Sequence, residues 1–111
     1  MKGERKGEVS EMARFNLQVV EDDGLHEMVL KKLPGANSIT YARRKAVAIL
    51  KEERAREEMK TWVQIYRSGV LVGEVTLYNT QAYYMSYTES GHLLYRLYPF
   101  GNIDKKPIKR W

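Results

Sequence analysis

The sequence predicts a single α+β domain in which one long helix packs on a mainly antiparallel sheet. Three observations predict this class: an alternating apolar segment near residue 15, one amphipathic helical segment, and four short β-rich segments separated by turns. The 111 residues fit one domain, and an apolar content of 43% is sufficient for a hydrophobic core. We expect residues 13–103 to form that domain, with a flexible leader at 1–12 and a basic tail at 104–111.

The first predicted element is a strand that continues into a hairpin. Residues 14–20 alternate between polar and apolar side chains, which is typical of a half-buried strand. Asp23-Gly24 then matches the chemistry of a tight hairpin turn, because both central residues of such a turn need a positive φ. Residues 25–33 fit either a returning strand or a short helix, since their apolar side chains also recur at helical spacing. Their short length favours the strand, and Pro34-Gly35 is expected to close the segment.

The helix is predicted to begin after Ser38, a good N-cap residue, and to run to about Met59. Its first three turns carry an apolar stripe formed by Ile39, Ala42, Ala46, Ile49 and Leu50. Beyond Glu52 the stripe disappears, so we expect the last two turns to project into solvent.

Four segments rich in β-branched and aromatic residues follow, at 62–67, 70–78, 83–88 and 93–98. The breaks between them are Ser68-Gly69, Asn79-Thr80-Gln81 and Ser90-Gly91. These connections are too short for parallel crossovers, so the segments are predicted to form a four-stranded antiparallel meander. The side chains expected to face the helix are Val63, Ile65, Leu71, Val75 and Leu77.

Composition argues against several functional classes. The chain has no cysteine, which removes disulfide and thiolate chemistry, and no apolar run approaches the ~20 residues that span a bilayer. Residues 1–8 lack the apolar core of a secretory signal, so we expect a cytoplasmic protein without membrane contact. His26 and His92 do not match a metal-binding pattern, and the helix entry at 33–38 lacks the glycines and lysine of a phosphate loop. With no plausible acid–base cluster either, we expect neither an enzyme nor a cofactor or metal site.

Aromatic residues are the most unusual feature of the sequence. Most of the eight tyrosines lie between Tyr66 and Tyr98. If Val63 and Ile65 face the helix, alternation places a second set on the opposite face, where we predict a binding surface formed by Trp62, Tyr66, Tyr78, Tyr84 and Arg96. Such a face can anchor a protein or stack nucleic-acid bases. Tyrosine is also common in strands for purely structural reasons, and this explanation remains open.

The leading functional hypothesis is a small non-enzymatic interaction or regulatory protein that binds a protein partner or self-associates. The alternative is a nucleic-acid-binding module, for which the net charge of +5 offers the candidates Arg44, Lys51, Lys105, Lys106, Lys109 and Arg110. Four of these lie in the last seven residues instead of along a structured face, which weakens the alternative. A helix on a small sheet also occurs in integrase arm domains and in small proteins of phages and mobile elements, an analogy of fold alone.

Overall fold

The computed structural model describes residues 14–22, 24–53, 60–78, 80–88, 91–98 and 101–108. Within these residues the elements in chain order are β1 (Phe15–Asp22), β2 (Glu27–Ala36), α1 (Ile39–Glu53), β3 (Lys60–Arg67), β4 (Val70–Tyr78), β5 (Gln81–Thr88) and β6 (Gly91–Leu97). The strands form one six-stranded sheet in the order β2-β1-β3-β4-β5-β6, and every neighbouring pair is antiparallel. The predicted α+β class and the meander of β3 to β6 are confirmed.

The β1–β2 hairpin settles the choice between strand and helix for residues 25–33, because β2 covers most of them as a strand. At the turn, the Gly24 N–H donates to Asp22 Oδ1 at 2.8 Å, and Gly24 adopts a φ of 94°. The prediction that Pro34-Gly35 closes the segment is wrong, since β2 continues to Ala36. Proline is tolerated there because β2 is an edge strand, where a residue without an N–H need not interrupt the hydrogen bonds between strands.

Helix α1 begins at Ile39 as predicted, and Ser38 Oγ accepts a hydrogen bond from the Tyr41 N–H at 3.1 Å. Its stripe residues Ala42, Ala46 and Leu50 are buried against the sheet. Burying a leucine side chain of this kind contributes about 1.5–3 kcal/mol. The end of the predicted helix, residues 54–59, lies outside the described residues, so the projection of its last two turns into solvent stays a prediction. No helix within the described part of the chain has the length and apolar character needed to cross a bilayer.

A β-bulge changes which residues of β4 face the helix. Ile65 pairs with Gly73, but its neighbour Tyr66 pairs with Leu71, so Val72 is an extra residue in β4. An extra residue reverses the alternation of side chains. Val72 therefore packs against the core, and the prediction that Leu71 faces the helix is wrong.

Residues 101–108 run beside β6. Leu97 forms an isolated bridge with Ile103 and Leu94 forms another with Ile108, whose N–H donates to the Leu94 carbonyl at 2.6 Å. This segment includes the start of the predicted basic tail, and Lys105 and Lys106 are exposed between the two bridges. The outer edge of β6 is thus partly covered by the chain itself, whereas the division into leader, domain and tail stays a prediction.

Candidate functional site

Helix α1 packs on one face of the sheet, and no described helix packs on the other face. Val63, Ile65 and Val75 point toward α1 and are fully buried. The opposite side of β3 to β6 is called the open face here, and it is formed by Trp62, Gln64, Tyr66, Glu74, Thr76, Tyr78, Tyr83, Met85, Tyr87, His92, Leu94 and Arg96. These side chains come from four adjacent strands, so their backbone positions are fixed by the sheet.

The open face contains a depression of about 340 Å³, near the lower end of the range for ligand sites. It is lined by Trp62, Glu74, Thr76, Tyr78, Tyr83, Met85, Tyr87 and Leu94. Four of these side chains are aromatic, two are flexible and apolar, and one is a carboxylate. The depression is therefore mainly apolar, with a single acidic group.

A hydrogen-bond network holds that carboxylate in place. Gln64 is only 8% exposed; its Nε2 donates to Glu74 Oε2 at 3.0 Å, and its Oε1 accepts from Gln18 Nε2 at 3.0 Å. Tyr66 also donates its hydroxyl to Gln64 Oε1, at 3.2 Å, while the Tyr87 hydroxyl donates to Glu74 Oε1 at 2.7 Å. The network joins β1, β3, β4 and β5, so both oxygens of Glu74 have a fixed orientation.

Tyr87 is placed by contacts on two sides. Its ring meets that of His92 edge to face, with 4.5 Å between the ring centroids. Burial raises the pKa of the Tyr87 phenol above its ordinary value, and the hydrogen bond to Glu74 and the negative charges of Glu74 and Glu27 raise it further. Tyr87 therefore stays protonated and keeps donating to the carboxylate across the physiological pH range.

Trp62 lies in the depression with an unsatisfied donor. Its indole Nε1 is buried and has no hydrogen-bond partner among the described residues. Leaving a buried donor without a partner costs about 1–3 kcal/mol. Trp62 is thus held by ring packing, at a position where a phenylalanine would avoid that cost.

Four of the five predicted binding residues lie on the open face, and one lies on the opposite face. Trp62 and Tyr78 line the depression, and the Tyr78 side chain is 62% exposed. Tyr66 is connected to the depression through its hydrogen bond to Gln64. Arg96 lies on the open face opposite Tyr83. Their role in binding stays a prediction.

The prediction that Tyr84 belongs to the open face is wrong. Tyr84 pairs with Val75 on the helix-covered face and is 5% exposed. The Arg43 guanidinium lies 5.0 Å from its ring centroid, and the Tyr84 hydroxyl donates to the Val72 carbonyl at 3.3 Å. Its ring lies so close to Gly73 that a Cβ there would overlap it. Burial raises the pKa of the Tyr84 phenol, and the Arg43 charge opposes this in part. Tyr84 is a core residue.

The cause of the error is the length of one turn. The predicted break is Asn79-Thr80-Gln81, whereas Tyr78 pairs directly with Gln81 and only two residues lie between these two. A shift of one residue turns every side chain of a strand to the other face. Sequence reasoning therefore missed Tyr83, Met85 and Tyr87. A two-residue Asn-Thr turn, with Thr80 at a φ of 64°, was the signal that would have identified them.

The basic candidates do not share a surface with the depression. Arg44 and Lys51 are exposed on α1, which packs on the opposite side of the sheet, and Lys105 and Lys106 lie beside β6. Lys109 and Arg110 lie outside the described residues. In the part of the chain that the structure covers, no group of three His, Cys, Asp or Glu side chains is arranged to hold a metal ion. Comparisons with protein-family models, curated proteins and solved structures gave no match to this chain.

Proposed function

We propose that the protein is a non-enzymatic interaction protein that binds a protein partner through the depression on its open face. The observation that supports this is the set of four aromatic rings, Trp62, Tyr78, Tyr83 and Tyr87, lining one depression on a rigid sheet. Tyrosine and tryptophan offer large contact areas at low entropic cost and are enriched at binding hot spots. The ordered network around Gln64 and Glu74 fixes the shape of the site before any partner arrives, which lowers the entropic cost of binding.

The same geometry favours a protein partner over nucleic acid. A nucleic-acid site needs cations near its aromatic rings, because phosphate contacts supply most of the affinity. Here the charged group within the depression is the carboxylate of Glu74, which repels phosphate. Arg96 shares the open face but does not line the depression, and the exposed cations Arg44 and Lys51 belong to the helix on the opposite face. The open face alone thus has the chemistry of a protein interface.

A displayed library of random peptides, selected on the immobilised protein, tests this proposal. The selected peptides should bind the unaltered protein and lose affinity when Tyr78 and Tyr83 are both replaced by serine. We expect a loss of at least about tenfold, since a hot-spot aromatic contributes on the order of 2 kcal/mol or more. The matched control is Tyr41→Ser, because Tyr41 is a 49% exposed tyrosine on α1, away from the open face.

Two results would contradict the proposal. One is that no selected peptide is sensitive to the Tyr78/Tyr83 pair. The other is tight binding of single-stranded RNA or DNA that weakens steeply with salt and is lost on replacing Arg44 and Lys51 by glutamine, which would indicate the nucleic-acid alternative. A thermal melt of each variant separates loss of binding from loss of fold.

A further inference from the structure

The depression on the open face is complementary to a cation. Aromatic faces carry a negative electrostatic potential, and four aromatic rings lie here beside the carboxylate of Glu74. No basic side chain is among its described lining residues. Arg96 shares the open face, opposite Tyr83, but it does not line the depression. The net charge of the lining residues is thus negative even though the chain as a whole carries +5.

Negative charge also reaches this site from another strand. Glu27 is exposed on β2, and its charge acts on the Tyr87 phenol together with that of Glu74. The effect of Glu27 is the smallest of the causes, so Glu74 is the main source of negative charge at the rings. Both carboxylates favour a positively charged group in the depression.

The hydrogen bonds of Glu74 distinguish between kinds of cation. Its Oε1 already accepts from the Tyr87 hydroxyl and its Oε2 from Gln64 Nε2, at 2.7 Å and 3.0 Å. Each oxygen keeps one further acceptor site, but a guanidinium gains most when both oxygens are free to accept a parallel pair of hydrogen bonds. An ammonium acts as a compact point charge and does not need that geometry. The site therefore fits an alkylammonium group better than an arginine.

Trp62 gives a second, independent reason to expect a cation in the depression. Its buried indole N–H has no hydrogen-bond partner in the described part of the chain, so the side chain carries a cost that phenylalanine would avoid. Among aromatic side chains, tryptophan binds cations most strongly. A cation contact accounts for a tryptophan at a position where packing alone would be served by phenylalanine.

We propose that the depression receives the alkylammonium end of a lysine side chain, unmodified or methylated, presented by a protein partner. This inference rests on the proposed function and names the group that the partner inserts. The stem of the lysine contacts Met85 and Leu94, while its charged end lies among the rings and Glu74.

An NMR titration tests the inference without knowledge of the partner. The probes are the N-acetyl, N′-methylamide derivatives of lysine, trimethyllysine, norleucine and arginine, added to the full chain at millimolar concentrations. The signals followed are the backbone amides of Thr76 and Tyr83 and the indole N–H of Trp62, which is identified by its loss in Trp62→Phe. We expect lysine or trimethyllysine to bind about tenfold more tightly than norleucine, which has a similar stem without the charge.

Two variants separate a cation site from a general apolar site. Glu74→Gln should weaken the ammonium probes several-fold and leave norleucine unchanged, while Glu52→Gln, on the exposed side of α1, should change neither. Trp62→Phe should keep or raise the melting temperature while it weakens the ammonium probes. A merely structural role for Trp62 predicts a lower melting temperature and an unchanged ratio between trimethyllysine and norleucine.

The outcomes distinguish this inference from the function on which it rests. Equal binding of lysine, trimethyllysine and norleucine, tighter binding of arginine, or no binding of any ammonium probe would overturn the lysine assignment. The proposed function would still stand if selected peptides depended on Tyr78 and Tyr83. Loss of that dependence would overturn both.

Discussion

Tyr83 and Tyr84 are adjacent in β5 and occupy opposite environments. Tyr84 lies under α1, opposite Val75, with its ring beside the Arg43 guanidinium. Tyr83 lies on the open face, opposite Thr76, in the aromatic depression. The same side chain thus contributes to the core in one case and to a candidate binding surface in the other. What decides between the two roles is strand register, since neighbouring residues of a strand point to opposite faces.

The two faces also differ in how they satisfy polar atoms. On the helix-covered face, Arg43 is 7% exposed and its Nε donates to the Gly101 carbonyl at 3.1 Å, which ties α1 to the segment after β6. On the open face, Gln64 and Glu74 form a side-chain network that crosses four strands. A core with few polar atoms stabilises the fold, whereas an ordered polar network beside exposed rings positions a surface. The covered face thus contributes mainly to stability, and the open face carries the proposed contact surface.

The largest expected effect comes from the tyrosine pair itself. Tyr84→Ser should destabilise the protein by about 3–5 kcal/mol, as for other buried aromatic residues, because it opens a cavity beneath α1. Tyr83→Ser should cost about 1 kcal/mol or less, since it removes mainly cross-strand contacts on the open face. Urea unfolding of the two variants measures both values. Equal losses would mean that the open face is covered as fully as the helix face.

Much of the fold could be predicted from sequence, because its elements have strong local signals. The helix was predicted from Ser38 and its apolar stripe, and the meander from short turns between β-rich segments. Two errors came from single-residue details, namely the two-residue turn before Gln81 and the bulge at Val72. Neither changes the composition of a strand, yet each moves side chains to the other face of the sheet. The network of Gln64, Glu74 and Tyr87 could not be predicted for the same reason, since it depends on register across three strands.

A smaller effect is expected at Gly73, which makes room for Tyr84. A Cβ at this position would overlap the Tyr84 ring, so Gly73→Ala should cost about 1–3 kcal/mol through overpacking. The cost should largely disappear in a Tyr84→Leu background, because leucine does not reach the same space and alanine is otherwise favoured over glycine in a strand. A double-mutant cycle from urea unfolding gives the coupling. An unchanged cost in the Tyr84→Leu background would show that the strain at Gly73 has another source.

The smallest effect concerns the open face and alkaline pH. The pKa of Tyr87 is raised in the folded protein by burial and by Glu74, so the folded state holds the phenol proton more tightly than the unfolded state does. The resulting stability is fully present below the unfolded pKa of about 10 and is lost as pH rises through the folded pKa. Tyr87→Phe removes this contribution and the hydrogen bond to Glu74, which together should cost about 0.5–1.5 kcal/mol near neutral pH for a partly exposed group. The difference in the free energy of unfolding between the unaltered protein and Tyr87→Phe should therefore shrink as pH rises above about 10.

Urea midpoints measured from neutral to alkaline pH give this difference, with Tyr41→Phe as the control for loss of a tyrosine elsewhere. A difference that stays constant with pH would mean that the Tyr87 proton is not linked to folding, and that Glu74 is held by Gln64 alone.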